Sequence, residues 1–292
     1  MEYSYYPGCS AHSTGLEFGL STEATFRHLG LELKEIPDWN CCGASSAHSL
    51  NHQLALTLPA RNLALAQQAE RDLVIPCAAC FSRVKGADHA LRTDARKRAE
   101  IEAAVGFTYT GKLAIRPLLS VLYEDVGLGR IHDEIRRPLT GLKVVPYYGC
   151  LLVRPPQVTE FDDPNDPHVM PDLLRAAGAE VRPWSHATDC CGAGLSLSRS
   201  DVVFSLVGRL AERAREAGAD ALVSACPLCQ MNLEMRQSGK EKLPAFYFTE
   251  LLALAFGLPE AEKWWPKHLI DPRPLLRSLG LIGAVAPVRA AA

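Results

Sequence analysis

The chain has 292 residues, of which 48% are hydrophobic and 22% charged, and this length allows one large core or two modest ones. The formal net charge of −2 gives no electrostatic reason to expect nucleic acid or an anionic membrane as a partner. No basic stretch followed by an apolar one precedes the first cysteine, so no secretory signal is predicted and a cytoplasmic location is expected. The longest apolar stretch, residues 243–258, contains Glu250 and is shorter than the roughly 20 residues of a membrane-spanning helix, which favours a buried helix.

Strands and helices are predicted to alternate along the first part of the chain. Three short strands are expected at residues 3–6, 31–36 and 73–75. Helices are expected at residues 16–29, ending at Gly30, and at residues 59–70, where Pro59 suits a first helical turn. Cysteines follow each of the three strands.

The same order is predicted again further along the chain. Strands are expected at residues 142–148, 179–183 and 221–223, with a helix at 171–177 between the first two. Ser200 is the predicted N-cap of another helix, because apolar residues follow it at helical spacing: Val203, Leu206, Val207 and Leu210. Strands that alternate with helices predict an α/β fold with mostly parallel sheets, here built twice.

The repeat extends into the connecting segments and places a boundary between two domains. A helix with Leu118-Leu119 before Gly127 corresponds to one with Leu251-Leu252 before Gly257. The pattern breaks near residues 136–142, so domains are predicted at 1–140 and 141–292, the first and second halves below. A proline-rich insertion at 154–171 and a tail after Trp265 have no counterpart, and both are candidates for a partner contact or a substrate lid.

Ten cysteines form one five-cysteine array that occurs twice. The first array is Cys9, Cys41, Cys42, Cys77 and Cys80, and the second array is Cys150, Cys190, Cys191, Cys226 and Cys229. The last four cysteines of the first array recur 149 residues later and the first recurs 141 later, and each adjacent pair is followed by glycine. This register indicates that the cysteines carry the function.

The spacing within each array narrows the chemistry. Two cysteines separated by two residues at a helix start are suited to a metal or cluster, because free backbone N–H groups stabilise thiolates there. Adjacent cysteines close into a disulfide only through a strained ring, and a reducing compartment disfavours disulfides. Five thiolates exceed the four that a tetrahedral zinc or a cubane cluster needs. A structural zinc in one half stays an open alternative, and a thioredoxin-like pair would leave most of the cysteines unexplained.

Three histidines lie near the cysteines in sequence: His12, His48 and His186. Their polar loop contexts argue against metal ligation. They are weak candidates for proton delivery, since a histidine titrates near neutral pH. No glycine fingerprint for a dinucleotide follows either early strand, so electrons are expected to come from another protein.

The motifs resemble those of the B subunit of heterodisulfide reductase, with its two cysteine-rich CCG domains. They are Tyr-Pro-Gly-Cys at 6–9, Cys-Cys-Gly at 41–43, Cys-Ala-Ala-Cys at 77–80, Tyr-Gly-Cys at 148–150, Cys-Cys-Gly at 190–192 and Cys-Pro-Leu-Cys at 226–229. The resemblance spans almost the whole chain and both arrays are intact, whereas many relatives in glycolate, lactate or glycerol-3-phosphate oxidation carry incomplete arrays.

The resemblance implies two tandem CCG domains related by a pseudo-twofold axis, each with a noncubane [4Fe-4S] cluster on its five cysteines. It also implies disulfide, thiol or persulfide chemistry between the halves, and two partners, a ferredoxin-like iron–sulfur C subunit and a flavin-containing A subunit. An electron-relay or anchoring subunit of a succinate dehydrogenase-like complex is the alternative that the wider family suggests.

Overall fold

Two parallel sheets organise the protein, for which a computed structural model describes residues 1–44, 47–239 and 241–283. Each sheet has four strands, in the orders β2-β1-β3-β4 and β6-β5-β7-β8, and all strand pairs in them are parallel. The strands are β1 (Glu2–Tyr5), β2 (Glu32–Glu35), β3 (Leu73–Ile75), β4 (Ile115–Pro117), β5 (Lys143–Tyr147), β6 (Glu180–Val181), β7 (Ala221–Ser224) and β8 (Ala245–Tyr247). The predicted α/β fold with two mostly parallel sheets is therefore confirmed.

Helices connect and cover the strands of both sheets. Those of the first half are α1 (Gly8–Ala11), α2 (Leu16–His28), α3 (Ala47–Leu50), α4 (His52–Gln68), α5 (Ala78–Thr93), α6 (Ala95–Val105), α7 (Leu118–Ser120) and α8 (Leu128–Asp133), with a π-helical segment at Val121–Val126. Those of the second half are α9 (Pro156–Thr159), α10 (Val169–Ala176), α11 (Ser200–Glu216), α12 (Pro227–Met235), α13 (Phe248–Ala255) and α14 (Arg273–Ser278), with 3₁₀ segments at Ala193–Leu195, Pro259–Lys263 and Trp265–Lys267.

Central strands carry continuous apolar runs because helices cover both faces of a parallel sheet. All residues of β3 and of β7 are buried, which is why both strands could be predicted from short unbroken runs. Helix α2 ends at His28, and Gly30 has a φ of 71°, a conformation that glycine adopts without steric cost.

The fourth strand of each sheet was not predicted. Strands β4 and β8 have three residues each, too few to show a period. The predicted helix at 243–258 is wrong in its first part, since β8 precedes α13 there. Glu250 accepts a hydrogen bond from the backbone N–H of Tyr247, at 2.9 Å, and this contact caps α13 where the strand ends. The stretch around it is buried, as expected.

Two predicted helix starts differ from the structure. Helix α4 begins at His52, and the Asn51 side chain caps it by accepting from the Leu54 N–H at 2.9 Å. Pro59 therefore lies inside the helix and not in its first turn. In α11, Ser200 is the first helical residue and Arg199 holds the N-cap position. Packing in α4 outweighs the proline, which removes one backbone hydrogen bond.

The two halves pack against each other through helices. Helix α2 lies against α13, where the rings of Phe18 and Tyr247 stack at 4.3 Å between centroids. Ser21 Oγ and Thr249 Oγ1 lie 2.7 Å apart, and Thr25 donates to the Thr249 carbonyl at 3.1 Å. The reciprocal contact places α10 against α7 and α8, as the predicted pseudo-twofold relation requires.

The insertion at 154–171 also joins the halves. Its helix α9 packs on α5, and Glu160 forms an ion pair with the mostly buried Lys85. Its role as a lid or partner contact stays a prediction, as does the domain boundary at 140.

Residues 284–292 of the tail lie outside the described residues. Within the described ranges, no helix has the length and apolar character that crossing a bilayer requires.

Candidate metal centre

The cysteines lie where parallel strands end and helices begin. Cys77 and Cys226 occupy the N-cap positions of α5 and α12, directly after β3 and β7. Because the carboxyl ends of parallel strands meet at one edge of a sheet, three separated segments bring each array together. The remaining cysteines follow the other strands, with Cys9 in α1 after β1, Cys41-Cys42 after β2, Cys150 after β5, and Cys190-Cys191 after β6.

One sulfur pair recurs in both arrays. The Sγ atoms of Cys42 and Cys80 lie 3.2 Å apart, and those of Cys191 and Cys229 lie 3.4 Å apart. All four residues are buried. The duplication seen in the sequence is therefore a duplication of side-chain positions.

The glycine after each adjacent pair aims a backbone donor at sulfur. Gly43 and Gly192 have φ angles of 74° and 79°, which favour glycine. Their N–H groups donate to the Sγ atoms of Cys41 and Cys190, at 3.4 and 3.3 Å. Hydrogen bonds to sulfur stabilise thiolate ligands and tune iron–sulfur potentials. Each Cys-Cys-Gly motif thus combines two thiols with a backbone donor.

The glycine before the first cysteine of each array leaves room for the sulfur of the last cysteine of that array. Gly8 and Gly149 have φ angles of 71° and 66°. A Cβ atom at Gly8 would lie 2.9 Å from Cys80 Sγ, and one at Gly149 would lie 3.0 Å from Cys229 Sγ. Both approaches are too close for an unstrained Cβ contact. Sequence reasoning did not assign these glycines a role, although the Gly-Cys dipeptide in both repeats was a signal for one.

Contacts between neighbouring thiols lower the pKa of some cysteines and raise the pKa of their partners, Cys80 and Cys229 among them. Hydrogen bonds from Cys41 and Cys80 lower the pKa of Cys42 to about 3. The thiols of Cys229 and Cys77 hold the pKa of Cys226 well below the ordinary cysteine value. Cys77 belongs to the first array and Cys226 to the second, so the two arrays approach each other at this point. Thiolates are the form that binds metals.

A cavity of about 480 Å³ lies between the halves. All five cysteines of the second array line it, and residues of the first half that include Ala78, Ala79 and Arg83 line it as well. Ala78 and Ala79 lie between Cys77 and Cys80 in sequence. Clefts between domains are frequent ligand sites, and this one connects the second array with the helix that carries part of the first.

The three predicted histidines have different surroundings in the structure. His12 is exposed, lies 3.6 Å from Glu35 and stacks on Trp39. His186 stacks on Trp184. His48 lines the cavity. A proton-delivery role for any of them stays a prediction.

The donor set fits an iron–sulfur cluster in each half. Each array offers five sulfurs and a backbone N–H donor. Each also has a glycine, Gly8 or Gly149, that leaves space for a sulfur, and we call this pair the glycine cradle. In the described ranges, no three His, Cys, Asp or Glu side chains are arranged around a point suited to one metal ion.

Comparisons with known proteins agree with this arrangement. The cysteine-rich domain family, CCG, matches residues 3–85 and 144–234. The 8-methylmenaquinol:fumarate reductase membrane anchor subunit of Wolinella succinogenes is 31% identical over 278 residues, covering 92% of this chain and 97% of that protein. A protein of Archaeoglobus profundus named as like the B subunit of heterodisulfide reductase is 30% identical over 272 residues, covering 88% and 91%. The B subunit of the ferredoxin:CoB-CoM heterodisulfide reductase of Methanosarcina mazei is 27% identical over 267 residues, covering 87% and 89%.

A solved structure supports the fold alone. The crystal structure of a hypothetical protein from Helicobacter pylori matches with a TM-score of 0.68 at 11% identity. It covers 92% of this chain, which spans about half (51%) of that one. The family is shown by the two matched domains and by the relatives that cover most of the chain. The chain belongs to the CCG cysteine-rich domain family, as a two-domain member homologous to the B subunit of heterodisulfide reductase.

Proposed function

We propose that this protein is the iron–sulfur subunit of a heterodisulfide reductase-like complex, with disulfide, thiol or persulfide chemistry in the cavity between its halves. The observation that carries the proposal is that cavity, since cysteines of the second array line one side and α5 of the first half lines the other. A two-sulfur substrate suits a site between two sulfur-rich arrays.

The first array would hold one [4Fe-4S] cluster and the second array the other, both noncubane because each offers five thiolates. When bound, such clusters supply single electrons and iron sites for sulfur. Reduction of a disulfide takes two electrons and two protons and yields two thiols. The chain contributes the ligands and the backbone N–H donors of Gly43 and Gly192. His48 is the candidate proton donor, because it lines the cavity.

Electrons would reach the clusters through a ferredoxin-like C subunit and a flavin-containing A subunit, in a cytoplasmic complex. Support comes from the lack of a dinucleotide fingerprint in the sequence and from the Methanosarcina mazei relative, which is named for ferredoxin. Direct reduction of the isolated chain by NADH would contradict this assignment of partners.

An electron-relay or anchoring role is the second candidate. The 31% identical relative from Wolinella succinogenes is a membrane anchor subunit of a fumarate reductase, and a relay subunit needs no substrate of its own. The two candidates differ in whether a small thiol reaches the clusters.

Metal analysis and spectroscopy of the anaerobically purified chain separate these functions. Four irons in each cluster predict about eight per chain. For the disulfide or thiol enzyme, oxidation in the presence of 2-mercaptoethanol should produce an electron paramagnetic resonance signal that is absent without the thiol. About eight irons with no response to thiol would favour the relay. About four irons and one zinc would refute the paired clusters and favour structural zinc in one half.

A further inference from the structure

Arg83 brings a positive charge to the cavity between the halves. It lies on α5, three residues after Cys80, and it lines the cavity. Its guanidinium Nε is buried and has no hydrogen-bond partner. Across the part of the chain that the structure describes, no carboxylate lies within ion-pair distance of Arg83. The partly buried Arg116, by contrast, is paired with Asp125 at 2.6 Å.

The second half has a different residue at the corresponding place. Three residues after Cys229 stands Asn232, which is buried. Its Nδ2 donates to the Cys191 carbonyl at 3.2 Å, and its Oδ1 accepts from Ser196 Oγ at 3.0 Å. The asparagine is thus committed to its own array. The halves match in their cysteines but differ in charge at this position.

Arg83 lies close enough to Cys42 for its charge to act on that thiol, but no side chain among the described residues accepts a hydrogen bond from it. This is costly for a partly buried guanidinium, because its lost hydration is not replaced. No Asp or Glu is among the described residues that line the cavity, so the protein offers the guanidinium no carboxylate there. A planar guanidinium matches the geometry of carboxylates and other oxyanions better than an ammonium does. An anionic ligand in the cavity would therefore supply the missing partner.

We propose that Arg83 binds an oxyanion, such as a carboxylate, on the small molecule that enters the cavity. The inference rests on the proposed function, because that molecule is taken to be the thiol or disulfide substrate. It adds that the substrate is anionic. It also adds a direction, since the charged end of an unsymmetrical disulfide would lie beside the first half.

Two thiols of equal chain length provide the test. We expect the iron-loaded full chain to bind 3-mercaptopropionate at least about tenfold more tightly than the neutral 3-mercapto-1-propanol, measured by anaerobic titration calorimetry. The variant Arg83→Gln should lose this preference while it keeps its iron content. Arg83→Lys should keep part of the preference. Arg96→Gln, which removes an exposed arginine of α6, should leave it unchanged.

Equal binding of the two thiols by the wild type would overturn the inference and leave the proposed function standing. A preference that survives in Arg83→Gln would also overturn it. If Arg83→Gln loses iron, the wild-type preference and its retention in Arg83→Lys decide the case. Butyrate, which has the carboxylate but no thiol, separates the two proposals. If butyrate binds through Arg83 as tightly as 3-mercaptopropionate does, and 3-mercapto-1-propanol does not bind, the anion site is supported and the thiol chemistry is overturned.

Discussion

Gly8 and Gly149 stand directly before the first cysteine of each array, and a sulfur lies where a Cβ atom on either glycine would point. The approach distances of 2.9 and 3.0 Å to Cys80 and Cys229 leave no room for a methyl group. Positive φ adds a conformational cost of about 1–2 kcal/mol for any other residue. The close approach acts on a sulfur directly, so these two positions should matter for the clusters as well as for stability.

We expect Gly8→Ala and Gly149→Ala to lower the iron content and the melting temperature together, because the new Cβ displaces a ligand sulfur. Gly86→Ala is the matched control. Gly86 lies inside α5, where a Cβ atom would meet no neighbouring heavy atom within 4 Å, and alanine should stabilise that helix by roughly 0.5–1 kcal/mol. Iron content per chain and thermal unfolding measure both effects. Normal iron in both array variants would show that the cradle is dispensable.

At the scale of elements, the tail is joined to helices α12 and α13 through the buried His268. His268 Nδ1 lies 2.6 Å from Glu234 Oε1 on α12, and its Nε2 lies 3.0 Å from Glu250 Oε1 on α13. The Leu269 N–H donates to Glu234 at 2.7 Å. This network holds the helix that begins after Cys226 against the helix that packs on the first half.

His268 should make stability depend on pH. Burial opposes its protonation, but the charges of Glu250 and Glu234 outweigh burial and raise the pKa of His268 from 6.5 to about 11. The protonated histidine therefore stabilises the fold fully below about pH 6.5, and this contribution is lost as the pH rises towards 11.

We expect His268→Gln to cost about 3–5 kcal/mol at about pH 6, because it leaves two buried carboxylates without their cation. The difference in unfolding free energy between wild type and variant should shrink from about pH 6 to about pH 10. Urea unfolding at several pH values measures it, and the exposed His52→Gln is the control. A difference that is independent of pH would contradict the charged state of His268.

At the scale of the whole molecule, each array collects sulfurs from three distant segments, so cluster assembly and folding should be coupled. We expect Cys42→Ser and Cys191→Ser each to lower the iron content and the melting temperature. Ala44→Ser adds a hydroxyl near the first array without removing a sulfur, and it should change neither. Unchanged iron in both cysteine variants would remove the five-ligand assignment.

Several features could be predicted because they are encoded locally. The α/β alternation follows from short apolar runs such as Leu73–Ile75, and the end of α2 follows from Gly30. Strands β4 and β8 could not be predicted, since three residues carry no period and their pairing depends on a neighbouring strand. The start of α4 at His52 was missed because the Asn51 cap outweighs the signal of Pro59.

The sequence by itself determined the duplication, the ten cysteines in register and the family, because these depend only on the order of residues along the chain. The tertiary structure decided the cavity between the halves, the approach of Cys77 to Cys226, and the placement of Arg83 in that cavity. Those features depend on how α2 and α13 pack the halves together. Helix packing joins residues that are far apart in sequence, such as Ser21 and Thr249, and no local pattern records such contacts.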